Sequence, residues 1–184
     1  ASDFATLLTS ETNGLISGGI TTQALTVDSG TIGVSAANDL NATTTGVVTA
    51  TITEGDMSTL ASLTDQTGSP GTDNAYTVTI TDTSVAAGAL NTLAGKTSVA
   101  VTGSAITTLT GAISDVNTAY ANTGGITGLG NEAVTISDTS GVAITDLNTL
   151  DDYTTGTVDA ATITSITGTL AALLEAYGSN GITG

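Results

Sequence analysis

The chain has 184 residues, of which 17 are Asp or Glu and one is Lys, so its formal net charge at neutral pH is −16. A surface of this charge repels nucleic acid and anionic membranes, and no apolar run approaches the about 18 residues of a membrane span. Cys, His and Trp are absent, which excludes disulfides, thiolate or imidazole catalysis and most transition-metal sites, so we do not expect an enzyme.

The residues available for a core predict thin stacked layers rather than a bulky centre. Hydrophobic residues make up 39% of the chain but aromatic residues only 3%, so Val, Ile, Leu and Ala must fill the interior. Short segments in which apolar residues alternate with Thr or Ser predict half-buried strands. In chain order these segments are 24–28, 47–53, 76–81, 99–103, 133–138 and 157–161.

Between the strands the apolar residues follow a helical spacing. Offsets of three and four residues predict two longer helices, one after the fourth strand and one after the sixth. Shorter apolar stripes predict brief helices at 36–40, 57–63, 85–93 and 142–150. The stripes of the two longer helices are Ile106, Leu109, Ile113, Val116 and Tyr120, and Ile163, Ile166, Leu170, Leu173 and Tyr177.

The chain also repeats itself with a period of about 57 residues. Its clearest copies are two short strings and the two chain ends. We therefore predict a single domain, 1–184, with about three repeats of about 55 residues at 5–70, 71–127 and 128–184. The matching residues are Leu90-Asn91-Thr92-Leu93 with Leu147-Asn148-Thr149-Leu150, Ala119-Tyr120 with Ala176-Tyr177, and Ala5, Leu7, Leu8, Ile16 and Gly18 with Ala171, Leu173, Leu174, Ile182 and Gly184.

The alternation of strands and helices predicts the architecture. Strands that are joined by crossover helices run parallel, and such crossovers are right-handed. We therefore expect a right-handed parallel α/β solenoid built of strand-plus-helix units. An all-β solenoid is the alternative, because Thr, Val and Gly suit it equally well.

Three carboxylates follow or end strands in successive repeats, and they are the candidate metal ligands. Stacking would bring Asp82, Asp138 and Asp159 towards one another, and oxygen ligands from neighbouring strands suit Ca²⁺. The alternative is that Asp82 and Asp138 cap free N–H groups of the helices that follow them. Calcium is thus the one cofactor for which the sequence offers candidates.

Two further features have both a functional and a structural interpretation. Outward-facing threonines on a flat sheet, such as Thr51, Thr79, Thr102 and Thr135, would form an array of the kind that ice-binding solenoids present, or an ordinary solvated β face. The single cation, Lys96, is expected to cap the end of the helix that contains Leu90 and Leu93.

The chain ends predict an assembly surface. A soluble solenoid normally carries polar caps at both ends, whereas this chain opens with an apolar segment and closes with a matching helix. We expect these ends to contact another copy, as in a homopolymer, or neighbouring repeats of the same chain. The predicted contact residues are Phe4, Leu7 and Leu8 at one end and Leu170, Leu173, Leu174 and Tyr177 at the other.

The string from Gly125 to Asp138, GITGLGNEAVTISD, followed by the strings at 147–150 and 163–168, resembles the repeats of giant Thr/Asp-rich cell-surface proteins of cyanobacteria. The resemblance implies secretion to the outer surface and a role in surface layers, filaments, adhesion or motility. Together with the predicted ends it suggests a structural extracellular repeat protein that assembles end to end into a filament or surface layer. The alternatives are a calcium-stabilised adhesin segment and a Thr-array ice-binding module.

Overall fold

The computed structural model describes residues 21–65 and 73–184. In these ranges the chain is mixed α/β, with six helices and twelve short strands, and every strand pairing is parallel. The helices are α1 Val34–Thr43, α2 Met57–Leu60, α3 Ala87–Ala94, α4 Ile113–Ala121, α5 Ile144–Tyr153 and α6 Leu170–Gly178. The strands are β1 Leu25–Thr26, β2 Val48–Thr51, β3 Ala75–Thr77, β4 Ser84–Ala86, β5 Val101–Thr102, β6 Thr108–Gly111, β7 Ile126–Thr127, β8 Ala133–Ile136, β9 Val142–Ala143, β10 Val158–Asp159, β11 Ile166–Thr167 and β12 Ile182–Thr183.

The prediction of parallel strands with connecting helices is confirmed. Each of the six predicted strands overlaps an observed one, namely β1, β2, β3, β5, β8 and β10. The other six strands span only two to four residues.

The two longer predicted helices begin later than the sequence analysis placed them, and here the prediction was wrong. Ile106 and Ile163, the first residues of the two stripes, lie outside the helices and strands, and the second residues lie on strands: Leu109 is in β6 and Ile166 is in β11. A positive-φ glycine follows in each case, Gly111 at φ 144° and Gly168 at φ 158°, and the helix starts two residues later. Glycine favours this backbone conformation, which no regular helix contains, so the strand and the helix are separate elements.

The strands form four sheets in the described ranges. The largest has the order β12-β10-β8-β6-β4, a second has the order β1-β2-β3, and β5-β7 and β9-β11 are pairs. Paired residues lie between 23 (Leu25 and Val48) and 26 (Thr49 and Ala75) positions apart in the chain. The helices also pack in chain order, α3 against α4, α4 against α5 and α5 against α6.

The core lies between the sheets and the helices. In β2 the residues Val48 and Ala50 point inward and Thr49 and Thr51 point to solvent, as the alternation predicted. Leu90, on α3, contributes to the same core from the helix side, and it is fully buried. The inward residues are small and aliphatic, so the strand and helix layers pack closely.

The four threonines that predicted an array lie in different pairings. Thr51 pairs with Thr77 of β3, whereas Thr79 forms an isolated bridge with Thr102. Thr135 lies in the largest sheet, opposite Asp159 on one side. These residues therefore do not form one continuous row.

Candidate assembly surface and polar contacts between helices

Three large apolar residues on α6 are exposed to solvent. Leu170 is 72%, Leu174 is 64% and Tyr177 is 84% exposed. Their spacing of four and three residues places them on one side of the helix, and we call these three residues the α6 face. Leu173, the fourth residue predicted here, packs partly buried against the core instead. Phe4, Leu7 and Leu8, predicted at the other end, lie outside the described residues.

The sequence counterpart of α6 is α4, and its equivalent face is covered. The repeated Ala-Tyr pair places Leu170 opposite Ile113 and Tyr177 opposite Tyr120 in the alignment. Ile113 and Tyr120 are each 6% exposed. The difference comes from α5, which packs on α4. The Tyr120 ring stacks on the Tyr153 ring of α5 with centroids 5.6 Å apart.

A row of asparagines connects consecutive helices. The fifth residue of α3, Asn91, donates from Nδ2 to the main-chain oxygen of Asp115, the third residue of α4, at 2.9 Å. Asn117 on α4 and Asn148 on α5 make the same contact with the next helix, at 3.0 and 3.1 Å. Leu174 occupies this position in α6. The repeated Leu-Asn-Thr-Leu string was the sequence signal, but the sequence analysis did not assign this role to Asn.

The strand-end carboxylates do bind helix N-termini, but those of the preceding helices. Asp82 Oδ2 accepts from the Met57 N–H of α2 and Asp138 Oδ2 from the Ile113 N–H of α4, both at 2.7 Å. The prediction that they cap the helices that follow them was wrong. Parallel pairing of β6 with β8 places Gly111 beside Ile136, so Asp138, two residues after Ile136, lies next to Ile113, two residues after Gly111.

The third candidate metal ligand has a different partner. Asp159 Oδ1 accepts from the N–H of Ala161 at 3.0 Å, within its own turn. In the part of the chain that the structure describes, no three acidic side chains form a group that could hold a metal ion. Asp82, Asp138 and Asp159 are thus used separately, and the first two stabilise helix ends.

Lys96 also caps a helix other than the one predicted. Its Nζ donates to the main-chain oxygen of Ala61 at 2.7 Å, at the C-terminal end of α2. This contact joins residues 35 positions apart in the chain. The expected end of α3 is closed instead by Gly95, whose N–H donates to the Asn91 carbonyl oxygen.

A fully buried carboxylate, which the sequence analysis missed, lies behind the tyrosine pair. Glu132 is 0% exposed, and its Oε2 accepts from Tyr120 Oη at 2.8 Å and from the N–H groups of Gly130 and Asn131 at 2.8 and 3.2 Å. Burial, with Glu132 as a further cause, raises the pKa of Tyr120 above its ordinary value. Three donors on one carboxylate oxygen stabilise a buried negative charge.

Beside the tyrosine pair a shallow cleft opens between α4, α5 and β7. Its lining includes Leu129 and Ile126 as well as Tyr120 and Tyr153, and tyrosine is the one ionisable residue type in it. Such a surface offers apolar contacts and ring stacking rather than groups for proton transfer or nucleophilic attack.

No family model, curated protein or solved structure matches this chain. Within residues 21–65 and 73–184, the helices are too short to cross a membrane. The geometry therefore has to be interpreted from its own contacts: helices joined by Asn and carboxylate contacts, and an apolar face on α6 that nothing in the described structure covers.

Proposed function

We propose that this chain is a structural extracellular repeat protein that assembles end to end into a filament or surface layer through the α6 face. The proposal rests on one observation. Leu170 and Tyr177 are exposed, although Ile113 and Tyr120 at the equivalent positions of α4 are buried, and Tyr120 stacks on Tyr153 of the next helix. An apolar face that is covered on α4 and exposed on its counterpart α6 is expected to bind a further repeat, supplied by another copy or by neighbouring repeats of the same chain.

The proposal includes the finer architecture, a right-handed parallel α/β solenoid. Its support is the regular offset of 23 to 26 residues between parallel pairs and the packing of consecutive helices in chain order. A sequence repeat of about 55 residues then corresponds to two turns of the solenoid, one ending in the LNTL helix and one in the Ala-Tyr helix. In such a protein each repeat contacts its neighbours, and growth adds a repeat at an end.

The α6 face supplies enough energy for concentration-dependent association. Fully burying a large apolar side chain stabilises by about 1.5–3 kcal/mol, so three such residues contribute roughly 4–9 kcal/mol. The loss of translational and rotational freedom opposes association by about 4 kcal/mol or more. Pairing of the outer edge of β12 with another strand would add main-chain hydrogen bonds. The balance leaves at most about 5 kcal/mol from the α6 face, which predicts weak, reversible assembly at roughly 0.1 mM protein or above.

An extracellular location is part of the proposal. It is supported by the absence of Cys, the net charge of −16 and the resemblance to giant repeat proteins of the cyanobacterial surface. Repeats that stack cooperatively need no disulfide to be stable. The calcium and ice-binding alternatives gain less support, because the three aspartates have separate partners and the four threonines lie in different pairings.

The test compares the 184-residue chain with Leu174→Asp/Tyr177→Asp, which places two charges on the α6 face. Thr51→Asp/Thr77→Asp is the matched control, because it adds the same charge on the exposed side of β2 and β3. Sedimentation velocity and negative-stain microscopy over about 10 µM to about 1 mM, a range that brackets the weak association expected, should show elongated particles for wild type and control and monomers for the α6 variant. Uniform monomers of wild type at every concentration would overturn the proposal.

A further inference from the structure

The segment 21–46 is the internal counterpart of the segment 130–156, which covers α4. The two align about 110 residues apart, two periods of the repeat. Their hydrogen bonds are the same: Thr44 Oγ1 donates to the Gln23 carbonyl oxygen and accepts from the Gly46 N–H, whereas Thr154 Oγ1 donates to the Glu132 carbonyl oxygen and accepts from the Gly156 N–H. Segment 21–46 therefore has the same local structure as the segment that covers α4.

Segment 130–156 covers α4 with identifiable residues of α5. The main-chain oxygen of Asp146, the third residue of α5, accepts from Asn117, and Tyr153, the tenth residue, stacks on Tyr120. The corresponding residues of α1 are Ala36 and Thr43. Both are small, so α1 presents to its outer side a surface that leaves room for the larger apolar residues of the α6 face.

The side of α1 with Ala36 is turned away from the rest of the described chain. The fifth residue of α1, Asn38, donates to the Ser62 carbonyl oxygen at 2.8 Å. This contact identifies the side of α1 that faces the next strand-plus-helix unit. Positions three and five of a helix are about 200° apart around its axis. Ala36 is therefore on the opposite side, as Asp146 is in α5, and it is partly exposed.

We infer that the partner of the α6 face is α1 of a second copy, in a head-to-tail register that places Leu174 against Ala36 and Tyr177 against Thr43. This inference rests on the proposed end-to-end assembly and specifies its contact. The register follows from the contacts of Asn117 with Asp146 and of Tyr120 with Tyr153, carried over to the equivalent positions. The contact is heterologous, so repeated addition forms a filament rather than a closed dimer.

The test is disulfide cross-linking, for which a chain without Cys is well suited. Leu174→Cys copies are mixed with Ala36→Cys copies under mild oxidation, and Tyr177→Cys with Thr43→Cys as a second pair. The control mixes Leu174→Cys with Thr51→Cys, whose Cys lies on an exposed sheet position. Mixed dimers are expected at least tenfold above the control for both pairs, and circular dichroism verifies that each variant folds.

A yield at the control level for both pairs overturns the inferred register. Sedimentation of the same samples distinguishes the register from the assembly itself. If elongated particles form but Leu174→Cys cross-links only to itself, the register is contradicted and the proposed assembly is not. If neither elongated particles nor cross-links form, the register and the assembly are both contradicted.

Discussion

Two buried tyrosines show how much depends on a single hydrogen bond. Tyr76 and Tyr120 are both buried, but among the residues that the structure describes the hydroxyl of Tyr76 has no hydrogen-bond partner, whereas that of Tyr120 donates to Glu132. A buried polar group without a partner destabilises the folded state by about 1–3 kcal/mol. The hydroxyl of Tyr120 therefore stabilises the folded state, whereas the hydroxyl of Tyr76 destabilises it.

We expect Tyr76→Phe to raise the free energy of unfolding by about 1 kcal/mol, because it removes the unpaired hydroxyl and keeps the ring. Tyr120→Phe is the matched variant, and it is expected to lower the free energy of unfolding by about 1–3 kcal/mol, since it withdraws a donor from the buried Glu132 carboxylate. Urea denaturation followed by circular dichroism measures both. Equal effects of the two substitutions would show that the hydroxyl contacts do not have the described roles.

The same tyrosines predict a loss of stability in alkali. Burial, with the Asp65 charge as a second cause, raises the pKa of Tyr76 from 10.0 to about 12. Because the folded state holds the proton more tightly, stability is complete below pH 10 and falls as the pH rises from about 10 to about 12. Denaturation at pH 9 and pH 11 should show the decline, and Tyr76→Phe should reduce it. A pH dependence unchanged by this substitution would assign the decline to other groups.

At the scale of the secondary-structure elements, contacts between consecutive strand-plus-helix units stabilise helices that are individually weak. The described helices have between four and ten residues, too short to be stable alone in water. Asn side chains join consecutive helices, and Glu54 caps α1 from the following unit, as Asp82 and Asp138 cap α2 and α4. Helices α1 to α5 therefore depend on the unit that follows them for an N-terminal cap or a side-chain contact.

Asp138→Ala is expected to lower the free energy of unfolding by about 1–2 kcal/mol, because the Ile113 N–H at the start of α4 loses its charged partner. Asp152→Ala, which removes the same charge at an exposed position of α5, is the control and should change the free energy of unfolding by less than about 0.5 kcal/mol. Thermal and urea denaturation compare the two. A loss of the same size in both variants would indicate a net-charge effect instead of a cap.

At the scale of the whole molecule, the net charge of −16 opposes both folding and assembly through self-repulsion. Salt screens this repulsion, because the Debye length falls from about 30 Å at 0.01 M to about 8 Å at 0.15 M. The contacts of the α6 face are apolar, so salt that screens charges does not weaken them. Ionic strength should therefore favour long particles.

Raising NaCl from about 0.01 to about 0.15 M is expected to raise the melting temperature and to lengthen the particles seen by sedimentation. CaCl₂ at matched ionic strength is expected to add nothing further, since Asp82, Asp138 and Asp159 bind separate N–H groups. Chelator should likewise leave the melting temperature unchanged. A gain specific to calcium that disappears in Asp138→Ala would instead support the calcium-site prediction.

The regular pattern of the chain made much of the fold predictable. Alternation over 47–53 and 133–138 located β2 and β8, and the inward Val48 and outward Thr49 follow it. The boundary at Gly111 was not predictable, because Leu109 has the right spacing for a helix stripe and for the inner face of a strand. Glu132 was missed because one carboxylate beside a strand has no sequence feature that predicts complete burial.

The order of residues alone predicted six of the twelve described strands, the alternation of strands with helices and the parallel pairing, because each of these depends on local periodicity and on the length of the connections. Three-dimensional packing decided which groups became partners. Asp82, Asp138 and Lys96 each cap the helix before the one expected, and α6 exposes the positions that α4 buries. These outcomes depend on which chain segments stack side by side, and the spacing of apolar residues carries no information about the contacts of a polar side chain 25 or 35 positions away.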